Sequence, residues 1–292
     1  MLRNSSLTEG DWTLVLKRIS GRECVPFLGA GASMGFGEIG LPPAGALAEE
    51  LAIECDYRGP DQQDFLRVCQ YYELWSDKDL LRKAIIKRLS PRGLMPGQLH
   101  RKLASLPVEY VLTTNYDNLM ERAFETEGKQ AVVAVHDIWA DTAAQFDRGT
   151  VNKPLVYKLH GSMSSPRTMI CTEDDVIQLL TGLIQGEPDL PALIRGLFPT
   201  HSILFIGYGL RDWNVRVMIR AMRAPKVGPE WIRSFAIQRR PHDESLAVDW
   251  DRSVVYWDRR ENIRCFDVDA LEFVTELASR YHDEKRADDE NS

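Results

Sequence analysis

The segment Val25-Pro-Phe-Leu-Gly29-Ala-Gly31-Ala-Ser33 joins a short apolar run to two closely spaced glycines. An apolar run of this length that breaks at glycine reads as a first β-strand, from about Cys24 to Leu28, ending in a tight loop. Glycine suits such a loop because it reaches φ > 0 and carries no Cβ to hold a ligand away, so backbone amides can face a phosphate. Strand-to-helix turns rich in Gly also occur in α/β proteins that bind no nucleotide. The segment by itself therefore leaves the ligand open.

Upstream, Thr8-Glu-Gly-Asp11 precedes Trp12, Leu14, Val15 and Ile19 at helical spacing, which predicts a capped amphipathic helix before the first strand. Downstream, Gly35, Gly37 and Gly40 lead to Leu41-Pro42-Pro43, a stretch too rich in Gly and Pro for regular structure; it reads as an ordered lid or as a loose connection. From Ala44 to about Leu106 the apolar pattern is helical almost throughout, broken at Gly59-Pro60, Ser90-Pro91 and Pro96-Gly97. Such a block exceeds one crossover helix and predicts a helical insertion over 44–106, packed beside the sheet.

Further strands are expected at Val108–Thr114, Ala131–Val135, Pro154–Leu159, Ser202–Ile206, Arg233–Gln238 and Ile263–Asp267, with helical segments after most of them. Strands separated by helices give a Rossmann-like α/β fold, a mainly parallel sheet with helices on both faces. Asp283 to Ser292, charged and without large apolar residues, reads as a disordered tail.

Composition narrows the function classes. The chain has 292 residues, 44% hydrophobic and 27% charged, as expected of an ordinary folded protein. A formal net charge of -7 opposes direct, sequence-independent nucleic-acid binding, which needs Lys and Arg to neutralise phosphates. No apolar run approaches the roughly 20 residues that span a bilayer, and Met1-Leu-Arg-Asn-Ser-Ser lacks the apolar core of a signal peptide, so a cytoplasmic protein is expected. The five cysteines, Cys24, Cys55, Cys69, Cys171 and Cys265, are scattered and include no CxxC pair; they read as reduced core residues, and no metal is expected.

Four predicted strands end in residues with chemical potential: Gly29-Ala30-Gly31-Ala-Ser33, Thr114-Asn115-Tyr116-Asp117, His160-Gly161-Ser162 and Gly207-Tyr208-Gly209. In a parallel sheet the carboxyl ends of the strands share one edge, so these residues converge there. Each has a plainer reading: Asn115 and Asp117 as a cap and a first-turn acid, His160 as a buried turn histidine, Gly207 and Gly209 as turn glycines, Asp212 as the cap of the next helix. Their coincidence at four strand ends favours a site. There is no GxSxG elbow, HExxH or GxxxxGK[ST] loop. A Gly loop with one Asn, one Asp and one His suits a dinucleotide and polar chemistry on its ribose, with Asn orienting a water and His accepting a proton.

The combination GAGAS, TTNYD and LHGS, over roughly Val25 to Asp212, resembles the sirtuin superfamily. Sirtuins carry a GAGxS loop, a TQNxD strand end and an HG strand end in this order. The resemblance implies a sirtuin-like NAD+-binding domain over 1–282, with Gly29, Ala30, Gly31 and Ser33 holding the pyrophosphate and adjacent ribose. Asn115 would orient the nicotinamide ribose or the attacking water, Asp117 would bond the carboxamide and His160 would be the general base. Gly207 and Tyr208 would flank the adenosine half, with Asp212 counted among the cofactor-binding residues.

The departures are informative. Sirtuin deacylases carry a four-cysteine zinc ribbon after the HG strand, whereas Cys171 stands alone there; the Phe-Arg usual after the Gly loop is replaced by Leu41-Pro42-Pro43-Ala44. Both departures are similar to sirtuin-like proteins of bacterial anti-phage defence, which hydrolyse NAD+. That likeness implies an NAD+ glycohydrolase with NAD+ as substrate, assembling as a homo-oligomer and regulated by self-assembly or by a partner such as a HerA-type ATPase. The alternatives are an NAD+-dependent protein deacylase and a non-catalytic module that binds NAD+ or ADP-ribose within an assembly.

Overall fold

The fold is that of a computed structural model, which describes residues 7–140, 145–186, 190–209, 213–223 and 232–290. Among these residues seven strands form one sheet: β1 (Cys24–Leu28), β2 (Tyr110–Thr113), β3 (Val132–Val135), β4 (Leu155–Lys158), β5 (Ser202–Ile206), β6 (Ser234–Ile237) and β7 (Ile263–Phe266). Their order is β3-β4-β2-β1-β5-β6-β7, and every neighbouring pair is parallel. The chain lays β2, β3 and β4 on one side of β1, with β4 between β2 and the edge strand β3, then returns to add β5, β6 and β7 on the other side. The boundary between β1 and β5 is therefore the switch point of the sheet, where a crevice opens at the carboxyl ends.

Both faces are buried, and the strand period of two shows it. Val25 and Phe27 of β1, with Ile203 and Phe205 of β5, enter one core; Cys24 and Leu28, with Leu204 and Ile206, enter the other. The first core is closed by α7 (Glu173–Gln185), α8 (Ala192–Thr200), α9 (Trp213–Arg223) and α10 (Glu244–Glu261). The second is closed by α1 (Glu9–Ser20), α5 (Gln98–Ser105), α6 (Leu119–Thr126) and α11 (Ala270–Glu290). Each large side chain buried in this way contributes about 1.5–3 kcal/mol, and that sustains strands of only four or five residues. Pro26 sits inside the central strand because pairing with β2 starts only at Phe27, opposite Leu112. All five cysteines are buried and free, as read from their spacing.

Local signals account for several boundaries. Thr8 and Asp11 form the expected capping box at the start of α1. The expected strand over Val108–Thr114 shortens at both ends to β2, and Thr114 after it lines the site cleft. The helical block expected over 44–106 divides in two. Helices α2 (Ala44–Glu54), α3 (Phe65–Trp75) and α4 (Lys78–Arg88) share their own core of Leu47, Leu51, Val68, Leu81 and Ile85, with Met169 and Cys171. Helix α5 instead buries Leu99 and Leu103 in the second core beside α6 and α11, so it is the crossover from β1 to β2. The expected tail is also corrected: α11 continues to Glu290, so 283–290 are helical. Its Glu, Lys, Arg and Ala residues favour helix without burial, and Arg286 pairs with Asp283 one turn away.

Candidate active site

The loop after β1 is held by its neighbour across the switch point. The amide of Gly29 donates to the Ile206 carbonyl at 2.9 Å and that of Gly31 to the Gly207 carbonyl at 3.1 Å; the Ala32 amide returns to Gly29 at 2.9 Å. A Cβ on Gly29 would stand 2.6 Å from the Gly207 oxygen, and one on Gly31 would stand 2.8 Å from the Gly207 Cα. Gly29 itself is extended, with φ -106°. The two glycines are thus required by the approach of one strand-end loop to another. Positive φ is the requirement at Gly207 (+77°), where a Cβ would also meet the Ala32 nitrogen at 2.3 Å.

The end of β2 locks into this loop. Asn115 donates both hydrogens of Nδ2, to the Gly29 carbonyl at 3.0 Å and to Ser33 Oγ at 3.1 Å. Ser33 Oγ then donates to Asp117 Oδ2 at 2.9 Å, and Asp117 Oδ1 accepts from the Leu119 amide at 2.9 Å at the start of α6. The relay has one polarity throughout. The carboxylate can only accept, so the serine hydroxyl must donate to it and accept from the amide. With Nδ2 occupied, Asn115 presents Oδ1 as its acceptor. Asp117 is buried and has both oxygens engaged inside the protein, which makes it the anchor of the relay.

His160 follows β4 at the same edge. Its main-chain oxygen accepts from Ile170 at 3.0 Å, while no hydrogen bond from the described residues reaches its ring, which lines the cleft. Burial, reinforced by the neighbouring His136 imidazole, pulls the His160 pKa down to about 4, so the ring is neutral at physiological pH and can accept a proton. Gly161 has φ +85°, and a Cβ there would lie 2.0 Å from the Thr168 carbonyl. Residues 161–172 then run through one short 3-10 turn, Pro166–Thr168, into α7. At the end of β5, Tyr208 bonds Thr114 Oγ1 through its hydroxyl at 2.8 Å and sets its ring edge-on to Phe27 at 5.1 Å.

These strand ends open on one cleft of about 1110 Å³, lined by Ala30, Ser33, Asn115, Asp117, His160, Gly207 and Tyr208. That is the upper end of ligand-pocket sizes. Gly29 and Gly31 form the support beneath it. Asp212 lies outside the described residues. The opposite wall is the helical module: Leu41, Ala44 and Leu47 from α2 and its approach, Asp61, Asp64, Leu66 and Arg67 around α3, with Leu179 and Leu180 of α7. The 35–44 loop reaches this wall through Leu41, Pro42 and Ala44, and its Glu38 ties it to α5, accepting from the Gln98 amide at 3.1 Å and from Arg101 at 2.8 Å. The sequence reading missed the contribution of α3. Its amphipathic pattern marks a buried face but not which cavity that face borders. Arg67, a cation in this wall, is held by Asp61 at 2.6 Å and Glu173 at 3.5 Å. Among the described residues no group of three or more His, Cys, Asp or Glu is placed to hold a metal ion, and no helix is long and apolar enough to cross a membrane.

The chain is 26% identical over 273 residues to "NAD(+) hydrolase ThsA" of Bacillus cereus (strain MSX-D12), covering 91% of this chain and 53% of that protein. It is 28% identical over 212 residues to "NAD(+) hydrolase ThsA" of Acinetobacter baumannii (strain 532279), covering 72% and 41%. It is 28% identical over 130 residues to "Defense-associated sirtuin 2" of Bacillus subtilis, covering 43% and 12%. The chain spans about half the length or less of the curated relatives it matches. The SIR2-like domain description matches residues 109–264, from the start of β2 into β7 and so across three of the four strand ends. With more than half of its length matched, the chain belongs to the SIR2-like domain family.

Proposed function

We propose that this chain is an NAD+ glycohydrolase, cleaving the nicotinamide–ribose bond to give nicotinamide and ADP-ribose. The observation that carries the reading is the one-directional relay Asn115–Ser33–Asp117 in one cleft with the His160 imidazole, which no hydrogen bond from the described residues reaches, at the switch point of a parallel sheet. Asn115 Oδ1 accepts a hydrogen bond from the incoming water or from a ribose hydroxyl. The bond from C1′ to the pyridinium nitrogen breaks with its electron pair going to the ring, so nicotinamide leaves neutral. Water adds to C1′, and His160 takes its proton. The dinucleotide backbone lies along Ala30, Ser33 and Gly207, which line the cleft at the ends of β1 and β5. The names of the relatives, two NAD(+) hydrolases and one defence-associated sirtuin, support the same reaction and a role in defence.

In this reading the protein acts in the cytoplasm as the NAD+-depleting effector of an anti-phage system, as a homo-oligomer, with a partner such as a HerA-type ATPase supplying regulation. The test is chromatography of NAD+ incubated with the purified chain, alone and with the product of the neighbouring gene. Equal amounts of nicotinamide and ADP-ribose are expected. Unchanged NAD+ in both conditions would remove the reading.

A further inference from the structure

Lys158 closes β4 with its side chain on the sheet face that α6 covers, and it is 1% exposed. An ammonium there must replace its lost hydration with partners. Among the described residues it has two: Nζ donates to the main-chain carbonyl of Asp117 and lies 3.0 Å from Glu121 Oε1. Both belong to the entry and first turn of α6. Asp117 is thus gripped at its carbonyl by Lys158, at one carboxylate oxygen by Ser33 and at the other by the Leu119 amide. Burial raises the Glu121 carboxyl and the lysine opposes that shift. The same strand end reaches β2 through the Leu159 amide, 2.8 Å from the Thr113 carbonyl, and His160 follows directly.

We infer that Lys158 is a positioning residue of this site: by holding the Asp117 carbonyl and Glu121 it fixes the entry of α6, and with it the carboxylate that orients Ser33 and Asn115. Well-packed apolar residues replace buried ion pairs with little loss of stability, so a pair that only filled the core could be exchanged for them with turnover and local protection both unchanged. The kinetic arm of the inference rests on the NAD+ hydrolysis reading; the structural arm does not.

The experiment compares the full chain with Lys158→Met/Glu121→Leu and with Glu121→Gln. The double variant is expected to unfold in urea near the parent's midpoint. Its kcat for nicotinamide release falls by about ten- to a hundredfold with KM little changed, as for one lost charge-assisted hydrogen bond. Its amides over residues 114–119 lose hydrogen-exchange protection while those of β1 and β5 keep theirs. Glu121→Gln retains the lysine and its bond to Asp117, so it loses stability but keeps kcat within about threefold. Parental kcat and parental protection in the double variant, or equal losses of kcat in both variants, would overturn the inference. A parent that leaves NAD+ intact overturns the hydrolysis reading instead, and the exchange pattern then decides the role of Lys158.

Discussion

At the scale of single residues, His160 and Gly207 set the clearest expectations. The pKa of His160, held down to about 4 by burial, puts its proton-accepting form in excess across the neutral range. The rate of nicotinamide release at low substrate is therefore expected to stay level from neutral pH towards 5 and to fall only as pH drops through about 4. A fall centred near 6.5 would show a solvated imidazole. Gly207 combines a left-handed φ with backbone 2.3 Å from the position of a Cβ, whereas Gly37 has φ +91° with nothing within 4 Å. Gly207→Ala is expected to cost well over about 1 kcal/mol and to abolish nucleotide binding, while Gly37→Ala costs about 1 kcal/mol and leaves binding intact. Urea unfolding with calorimetric titration of ADP-ribose separates the two outcomes.

At the scale of elements, the helical module is joined to the body by a polar seam along the start of α7. Gln70 and Asp174 exchange two hydrogen bonds, of 3.2 and 3.0 Å, Arg67 reaches Glu173, and Lys78 pairs with Asp175. These contacts are unequal. Asp175 is buried and accepts from the amides of Cys171 and Thr172 as well, whereas Arg67 is half exposed. Lys78→Ala is expected to lower unfolding free energy by about 1–3 kcal/mol, and Arg67→Ala by less than about 1 kcal/mol. A larger loss from Arg67→Ala would mean that the seam depends on its exposed end. The sequence marked these helices well but not their grouping. Asp77, which caps α4 by accepting from the Leu80 amide at 2.8 Å, is a legible start signal passed over within a helical block. That α5 belongs with α6 and α11 depends on which cores their faces enter, and periodicity carries no such information.

At the scale of the molecule, the parallel sheet was legible because apolar runs alternate with helical patterns, and the four chemically unusual strand ends fell where such a sheet brings them together. The physical work of the motifs was not legible. Glycines that suggest phosphate contacts prove to be packed against Gly207, and the relay through Ser33 joins residues 82 and 84 positions apart in sequence. Lys158 carried no signal in the sequence, because its partners at the entry of α6 are supplied only by the fold.

A whole-molecule consequence follows from His136, which is buried, lies 2.9 Å from the Tyr157 hydroxyl and is held by burial at a pKa of about 4 against 6.5 when solvated. Between those values the unfolded chain binds the proton and the folded one does not. Stability is therefore intact above 6.5 and declines as pH falls towards 4, by about 3 kcal/mol from this group. In His136→Gln the difference in unfolding free energy between pH 7 and pH 4 should shrink by about that amount. An unchanged difference would place the acid sensitivity elsewhere.

The proposed NAD+ hydrolysis requires that strand ends far apart in sequence form one site. The most direct test measures nicotinamide release from NAD+ by the parent chain, Asn115→Ala and His160→Ala, with ADP-ribose affinity measured alongside. The predicted result is turnover by the parent and a loss of about a hundredfold or more in each variant, with ADP-ribose still bound by His160→Ala. Parental turnover in both variants would contradict the account.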